Sequence, residues 1–180
     1  MKPLIVFCCL LFAVASNGQE RFLTKQGYTS FFSTSPVEDI KADNNQVLSI
    51  IDTSTGALAI SILMKSFMFE KSLMQEHFNE NYVESDKYPK ATFKGKILNF
   101  DALGSDEKVV TIQGNLTIHG VAKTIEIQAK LIKTDEHISL KGSFPVKVAD
   151  FDIKIPSVVI NNIAEVIEVS FAFDHKPYKK

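Results

Sequence analysis

Apolar and polar residues alternate with period two along most of the chain, the pattern of strands with one dry face. The alternation is cleanest beyond residue 90. Phe93 and Ile97 share a face with Gly95 between them, while Lys94 and Lys96 point away. Val110, Ile112, Leu116 and Ile118 face inward against Thr111, Gln113, Asn115 and Thr117. Ile125, Ile127, Ala129 and Leu131 do so on the returning strand, followed by Ile138, Leu140, Phe144 and Val146. A last strand over 166–173 buries Ile167, Val169, Phe171 and Phe173. His119-Gly120 and the run 134–136 supply tight turns between these segments. Earlier in the chain the pattern predicts strands over 28–34, 37–42, 46–51 and 57–64. Turns are expected at Ser35-Pro36, at Asp43-Asn44-Asn45 and over 52–56. Gly95, Gly114 and Gly142 fall on the inward face, where they mark bends or room for a guest.

Short strands joined by hairpins, each polar on one side, predict an antiparallel sheet of about eight strands with a single dry face. Such a sheet hides that face by pairing into a sandwich or by curling closed. Closure also removes exposed edges and is the expectation.

One stretch interrupts the period of two. Residues 66–96 begin as a strand, pass through an amphipathic segment and return through Tyr88-Pro89. Between 71 and 82 the steps of four from Met74 to Phe78 to Tyr82 make one apolar stripe, predicting a short helix that caps or flanks the barrel interior. Ser72 is the expected N-cap, with Gln75 as its capping-box partner. A stripe of this kind serves equally as a plug for a filled core or as a lid. Phe67, Phe69, Phe93, Phe144, Phe171 and Phe173 add an inward surplus of aromatics. An eight-stranded barrel is just wide enough to be filled by side chains or to hold one small ligand.

Composition narrows the setting. Met1 to about Ala15 carries one basic residue, Lys2, followed by an uncharged apolar run and then small residues. This is the form of a secretory signal over 1–18, cleaved after Ala15 or Gly18. An uncleaved anchor is the competing reading; the apolar run is short for a span and no stop-transfer flank follows. Cys8 and Cys9 both fall inside this leader, so residues 19–180 are expected to form a single domain without thiols, in a periplasmic or secreted location. Cys8 follows Phe7 rather than a small residue, which argues against lipid attachment. Removing Lys2 from 20 basic residues leaves 19 against 21 acidic, a net charge of −2. With no basic stripe, nucleic acid is not an expected partner.

Three segments carry a family resemblance: FMFEKSLMQEHFNENYVESDKYPKATFKGKI, then VTIQGNLTIHGVAKTIEI, then DFDIKIPSVVINNIAEVIEVSF. In this order they resemble the YceI-like family of extracytoplasmic proteins. The resemblance implies a lipocalin-like antiparallel β-barrel whose apolar interior holds a long isoprenoid chain, either a polyprenyl lipid or an isoprenoid quinone. Alternation and the matched segments together nominate Phe67, Phe69, Met74, Phe78, Tyr82, Phe93, Ile112 and Phe144 as cavity-lining residues. His77, beside Asn79 and Asn81, is the candidate for a polar head group, against the plainer role of a surface histidine. Transient membrane contact and a homodimer are both compatible with such a protein.

Catalytic chemistry finds no motif. The chain has no Gly-x-Ser-x-Gly elbow, no phosphate-binding glycine loop and no His-Glu-x-x-His pair. Neither an enzyme, a cofactor nor a metal site is expected. Glu76 and Glu80, one helical turn apart, suit a solvated face. His119 is expected to be structural in its turn, and His137 and His175 to lie in a turn and near the C-terminus. Two functional classes fit the chain: a carrier for an apolar isoprenoid-type lipid, or a non-enzymatic interaction module with a filled barrel.

Overall fold

The computed structural model describes residues 21–36, 38–156 and 163–178; the expected leader and residues 157–162 lie outside the described residues. Among the described residues, nine antiparallel strands follow the alternation. They are β1 (Arg21–Ser33), β2 (Ile40–Asp52), β3 (Ala57–Leu63), β4 (Met68–Phe69), β5 (Lys90–Ile97), β6 (Lys108–Ile118), β7 (Val121–Lys133), β8 (Ile138–Lys147) and β9 (Val166–Tyr178). Their order is β1-β9-β8-β7-β6-β5-β3-β2, and β1 pairs back to β2, so eight strands close into a barrel. The two-residue β4 adds to β2 through Ala42 and Asp43. Closure leaves no barrel strand with a free edge.

Local chemistry sets the corners. His119 and Gly120 both adopt positive φ, 51° and 77°, as a two-residue hairpin between right-twisted strands requires. At the opposite end Gly56 (φ 70°) closes the β2–β3 hairpin, and its N–H bonds to the Asp52 carbonyl.

The first two strands are longer than the alternation predicts. Of the expected strands 37–42 and 46–51, residues 40–42 and 46–51 belong to one strand, and Asp43-Asn44-Asn45 is no turn; residue 37 lies outside the described residues. Asn44 is fully buried there. Its Nδ2 donates to the Leu63 carbonyl and its Oδ1 accepts from Gln46 N–H. Turn-type residues thus serve an irregularity within the pairing, where the β1–β2 register shifts between Thr24 and Thr29. The last strand likewise runs past Phe173, which brings His175 onto the inward face.

The two halves of the interior differ. The lower half, toward the β2–β3 and β7–β8 turns, is solid. Phe22, Ile51, Leu58, Ile97, Phe100, Leu131, Ile138, Leu140 and Phe173 are all buried there in one cluster. The inward glycines make room for rings rather than for a guest. A Cβ on Gly95 or Gly114 would come within 2.6 or 2.7 Å of the Phe93 ring. One on Gly142 would come within 2.8 Å of Phe171, and one on Gly27 within 2.6 Å of Phe173. His175 closes the solid half, completely buried. Its Nδ1 donates to the Ile138 carbonyl, and its Nε2 accepts from Ser49 Oγ at 2.8 Å. Burial favours the neutral ring and lowers its pKa from the ordinary 6.5.

Two predictions follow from this packing. Gly114→Ala must push against the Gly95 Cα and the Lys94 carbonyl, each 2.5 Å from the new Cβ. Chemical denaturation is expected to show a loss of about 1–3 kcal/mol. Gly104→Ala, with nothing within 4 Å, is expected to stay within about 0.5 kcal/mol of the parent. The lowered pKa of His175 means that the unfolded chain binds its proton first. Its contribution is therefore complete above the unfolded value of 6.5 and is lost as pH falls below it. Denaturation curves between about pH 7 and about pH 5 should show stability falling, with a shallower fall in His175→Gln.

Candidate functional site

Above the floor of rings the barrel is hollow. A cavity of about 280 Å³ opens toward the β6–β7 hairpin end, near the lower limit of roughly 300–1,000 Å³ usual for small-molecule sites. Its wall is built from the upper ends of the strands: Phe31 on β1, Ile62 on β3, Ala91 on β5, Leu116 and Ile118 on β6, Phe144 and Val146 on β8, and Ile167 and Val169 on β9. Ile153, Ile155 and Ile163 complete the rim.

The lid is α1 (Ser72–His77), continued by a wide turn over Phe78–Tyr82 in which Val83 N–H bonds the Phe78 carbonyl. The cap differs from expectation. Lys71, in extended conformation, precedes the helix, and no side chain caps it. Gln75 does turn back, but to the N–H of Phe69, which its Oε1 accepts at 3.3 Å. The apolar stripe faces inward. Phe78 stacks on Phe31 at 5.4 Å and lies 5.7 Å from Phe67 and 5.1 Å from Phe69, so one lid ring touches three others. Lys71 also forms an ion pair with Glu38, joining the start of α1 to the β1–β2 connection. Asn79 Nδ2 donates to the Gln75 carbonyl, while its Oδ1 is buried without a partner.

The exit from the lid is pinned by His119. Its Nε2 bonds Glu84 Oε2 at 2.6 Å, and its Nδ1 lies 3.2 Å from the Phe151 carbonyl. Tyr88 packs edge-on to the ring at 4.4 Å. Both nitrogens face oxygen atoms. The hydrogen bond from His119 holds the Glu84 carboxyl below its ordinary range. This places His119 in the structural role expected of it, and adds a partner that the sequence did not indicate.

Seven of the nine nominated residues line this one cavity: Phe67, Phe69, Met74, His77, Phe78, Tyr82 and Phe144. His77 stands exposed at the rim. Phe93 and Ile112 lie lower, around a chamber of about 50 Å³ within the floor. Phe31 escaped nomination because it neighbours Phe32, and alternation cannot tell which of two adjacent phenylalanines faces in; Phe32 is the one exposed. Ile153 and Ile155 follow a short 3₁₀ turn, where no period exists to read.

Two hydroxyls in this wall are bonded to backbone. Thr29 Oγ1 donates to the Ser170 carbonyl, and Ser33 Oγ accepts from Ala164 N–H. Burial raises the pKa of the Tyr82 hydroxyl, favouring its neutral form. The surface offered to a guest is hydrocarbon, with Glu38 and His77 at its edge.

A family model described as the YceI-like domain matches residues 23–174. Among solved structures, the chain is similar to a polyisoprenoid-binding domain from Saccharophagus degradans implicated in plant cell wall breakdown. The TM-score is 0.76 and the identity 16%, covering 88% of this chain and 98% of that one. It is also similar to Burkholderia cenocepacia BcnA, with TM-score 0.69 and 18% identity, covering 82% and 95%. A Campylobacter jejuni YceI protein gives TM-score 0.56 and 18% identity over 79% and 87%. At these identities the likeness establishes the fold. A search of curated proteins finds no match.

Removing the lid's central ring tests how the cavity is closed. Phe78→Ala is expected to lower stability by about 1–3 kcal/mol, less than a fully buried ring because Phe78 is only partly covered. Hydrogen exchange should quicken across residues 72–82 before it does in β6 or β9; uniform quickening would show that the lid is not a separate unit.

Proposed function

Because the chain belongs to the YceI-like family, we propose that it is a binding protein for an apolar lipid of isoprenoid type, a polyisoprenoid or an isoprenoid quinone, held in the upper cavity. The observation that carries this reading is the cavity itself: about 280 Å³ of space walled by hydrocarbon, with its buried Thr29 and Ser33 hydroxyls bonded to backbone. Hydroxyls bonded in this way leave the wall largely hydrocarbon toward a guest. Apolar burial at roughly 25 cal/mol per Å² supplies the affinity without any reaction. The neighbour described as polyisoprenoid-binding supports the same ligand class.

The role is that of a carrier or reservoir in an extracytoplasmic space, periplasmic or secreted, as the leader-like residues 1–18 suggest. Loading takes place at the mouth, where Leu73 and Met68 stand exposed on the lid and on β4; transient contact with a membrane would be made there. A filled barrel, the alternative, describes the lower half, where rings lie over glycines around a chamber of about 50 Å³.

Organic extraction of the purified protein followed by mass spectrometry is expected to yield a prenyl lipid. An empty extract, together with no binding of a farnesyl-labelled fluorophore, would sink the carrier reading. Ala91→Phe, which projects a ring into the cavity, is expected to weaken probe binding at least about tenfold with the fold retained. Phe93→Trp or Ile112→Trp acts on the packed floor instead and is expected to destabilise by about 1–3 kcal/mol.

A further inference from the structure

The upper cavity and the small chamber beneath it are stacked along the barrel axis. They share five lining residues, Thr29, Ile62, Leu116, Phe144 and Val169, contributed by five different strands. These residues form one layer across the barrel, and Phe144 is the largest of them. It sits opposite Val169 in the β8–β9 ladder, with its ring 6.3 Å from that of Phe171 in the floor. Phe144 is only partly buried, unlike the tightly packed floor rings Phe93 and Phe173.

We infer that Phe144 and its layer act as a stop that limits how much of a prenyl chain the barrel encloses, making this protein selective for chain length; this rests on the carrier reading above. The volumes set the scale. A cavity of about 150 Å³ encloses one benzene ring, roughly 25 Å³ per carbon. On that scale the upper 280 Å³ takes about eleven carbons, roughly two isoprene units. The chamber below, at 50 Å³, adds about two carbons if the stop yields. Further units remain at the mouth, against the lid and in water. Each methylene taken out of water tightens binding about fourfold, so affinity should climb steeply with chain length and then level off where the stop is reached. A continuous, unobstructed barrel would give no such break.

The experiment measures dissociation constants for prenol, geraniol and farnesol, each one isoprene unit longer than the last, by displacement of the farnesyl-labelled fluorophore. Wild-type protein is expected to gain at least about tenfold from prenol to geraniol, which the upper cavity still encloses, and no more than about fourfold from geraniol to farnesol. Phe144→Ala removes a six-carbon ring from the stop, joins the two spaces and should restore a gain of at least about tenfold at the second step. Phe144→Leu keeps a branched apolar side chain and should move the break in the same direction by less, which guards against a loss of fold in the alanine variant. Equal tenfold gains at both steps in the wild type would overturn the inference, as would identical length profiles in wild type and both variants. If none of the three alcohols binds, the carrier reading fails and this inference with it.

Discussion

Phe93 lies where Gly95 on β5 faces Gly114 on β6, and Phe171 and Phe173 lie over Gly142 and Gly27 in the same way. Everything above these contacts depends on them. A β-barrel of eight strands has an interior whose filling is a matter of side-chain volume alone. Here the volume is concentrated at one level by removing Cβ atoms from the wall and laying rings in their place. The rings pack against backbone and give the upper cavity its floor. The same device stiffens the sheet, since an aromatic ring over a glycine restores contacts that the missing side chain would have made.

The upper end is built on a different principle. Its closure uses a six-residue helix and a wide turn, elements too short to be stable alone, so their order comes from what they touch. Phe78 supplies the apolar contact, Lys71 and Glu38 the ion pair, and His119 with Glu84 the hydrogen-bonded root. The ion pair is largely solvent-exposed and contributes little to stability. Contacts of this strength hold a lid without locking it. The buried, unpartnered Oδ1 of Asn79 points the same way, because a polar atom left without a partner keeps the turn less stable than the strands around it.

The division of labour also bears on chemistry. Buried polar side chains in the barrel, Asn44, His175, Thr29 and Ser33, bond to backbone or to one another. Asn44 and His175 thereby secure an irregular strand and the lower plug, while Thr29 and Ser33 belong to the cavity wall. An apolar chamber with a packed floor and a weakly held cover suits a guest that is bound by buried area.

Periodicity along the chain determined an antiparallel sheet with one dry face, the inward faces of β5 to β9 and the apolar stripe of the lid, because period two and steps of four are geometric properties of the local backbone; closure into a barrel was the expectation because it removes exposed edges. Periodicity also placed Phe67, Phe69, Met74, Phe78, Tyr82 and Phe144 toward the interior. Depth along the barrel was not legible, since Phe93 and Phe144 obey the same alternation yet lie in the floor and at the cavity. Nor was the meaning of Asp43-Asn44-Asn45, whose turn-forming side chains are used inside a strand once Leu63 and Gln46 stand beside them. The choice between Phe31 and Phe32, the burial of His175 and the partnership of His119 with Glu84 all depend on residues distant in sequence. Only the tertiary structure decided which half of the barrel is full and which is hollow, because that depends on which ring meets which glycine across the closed sheet.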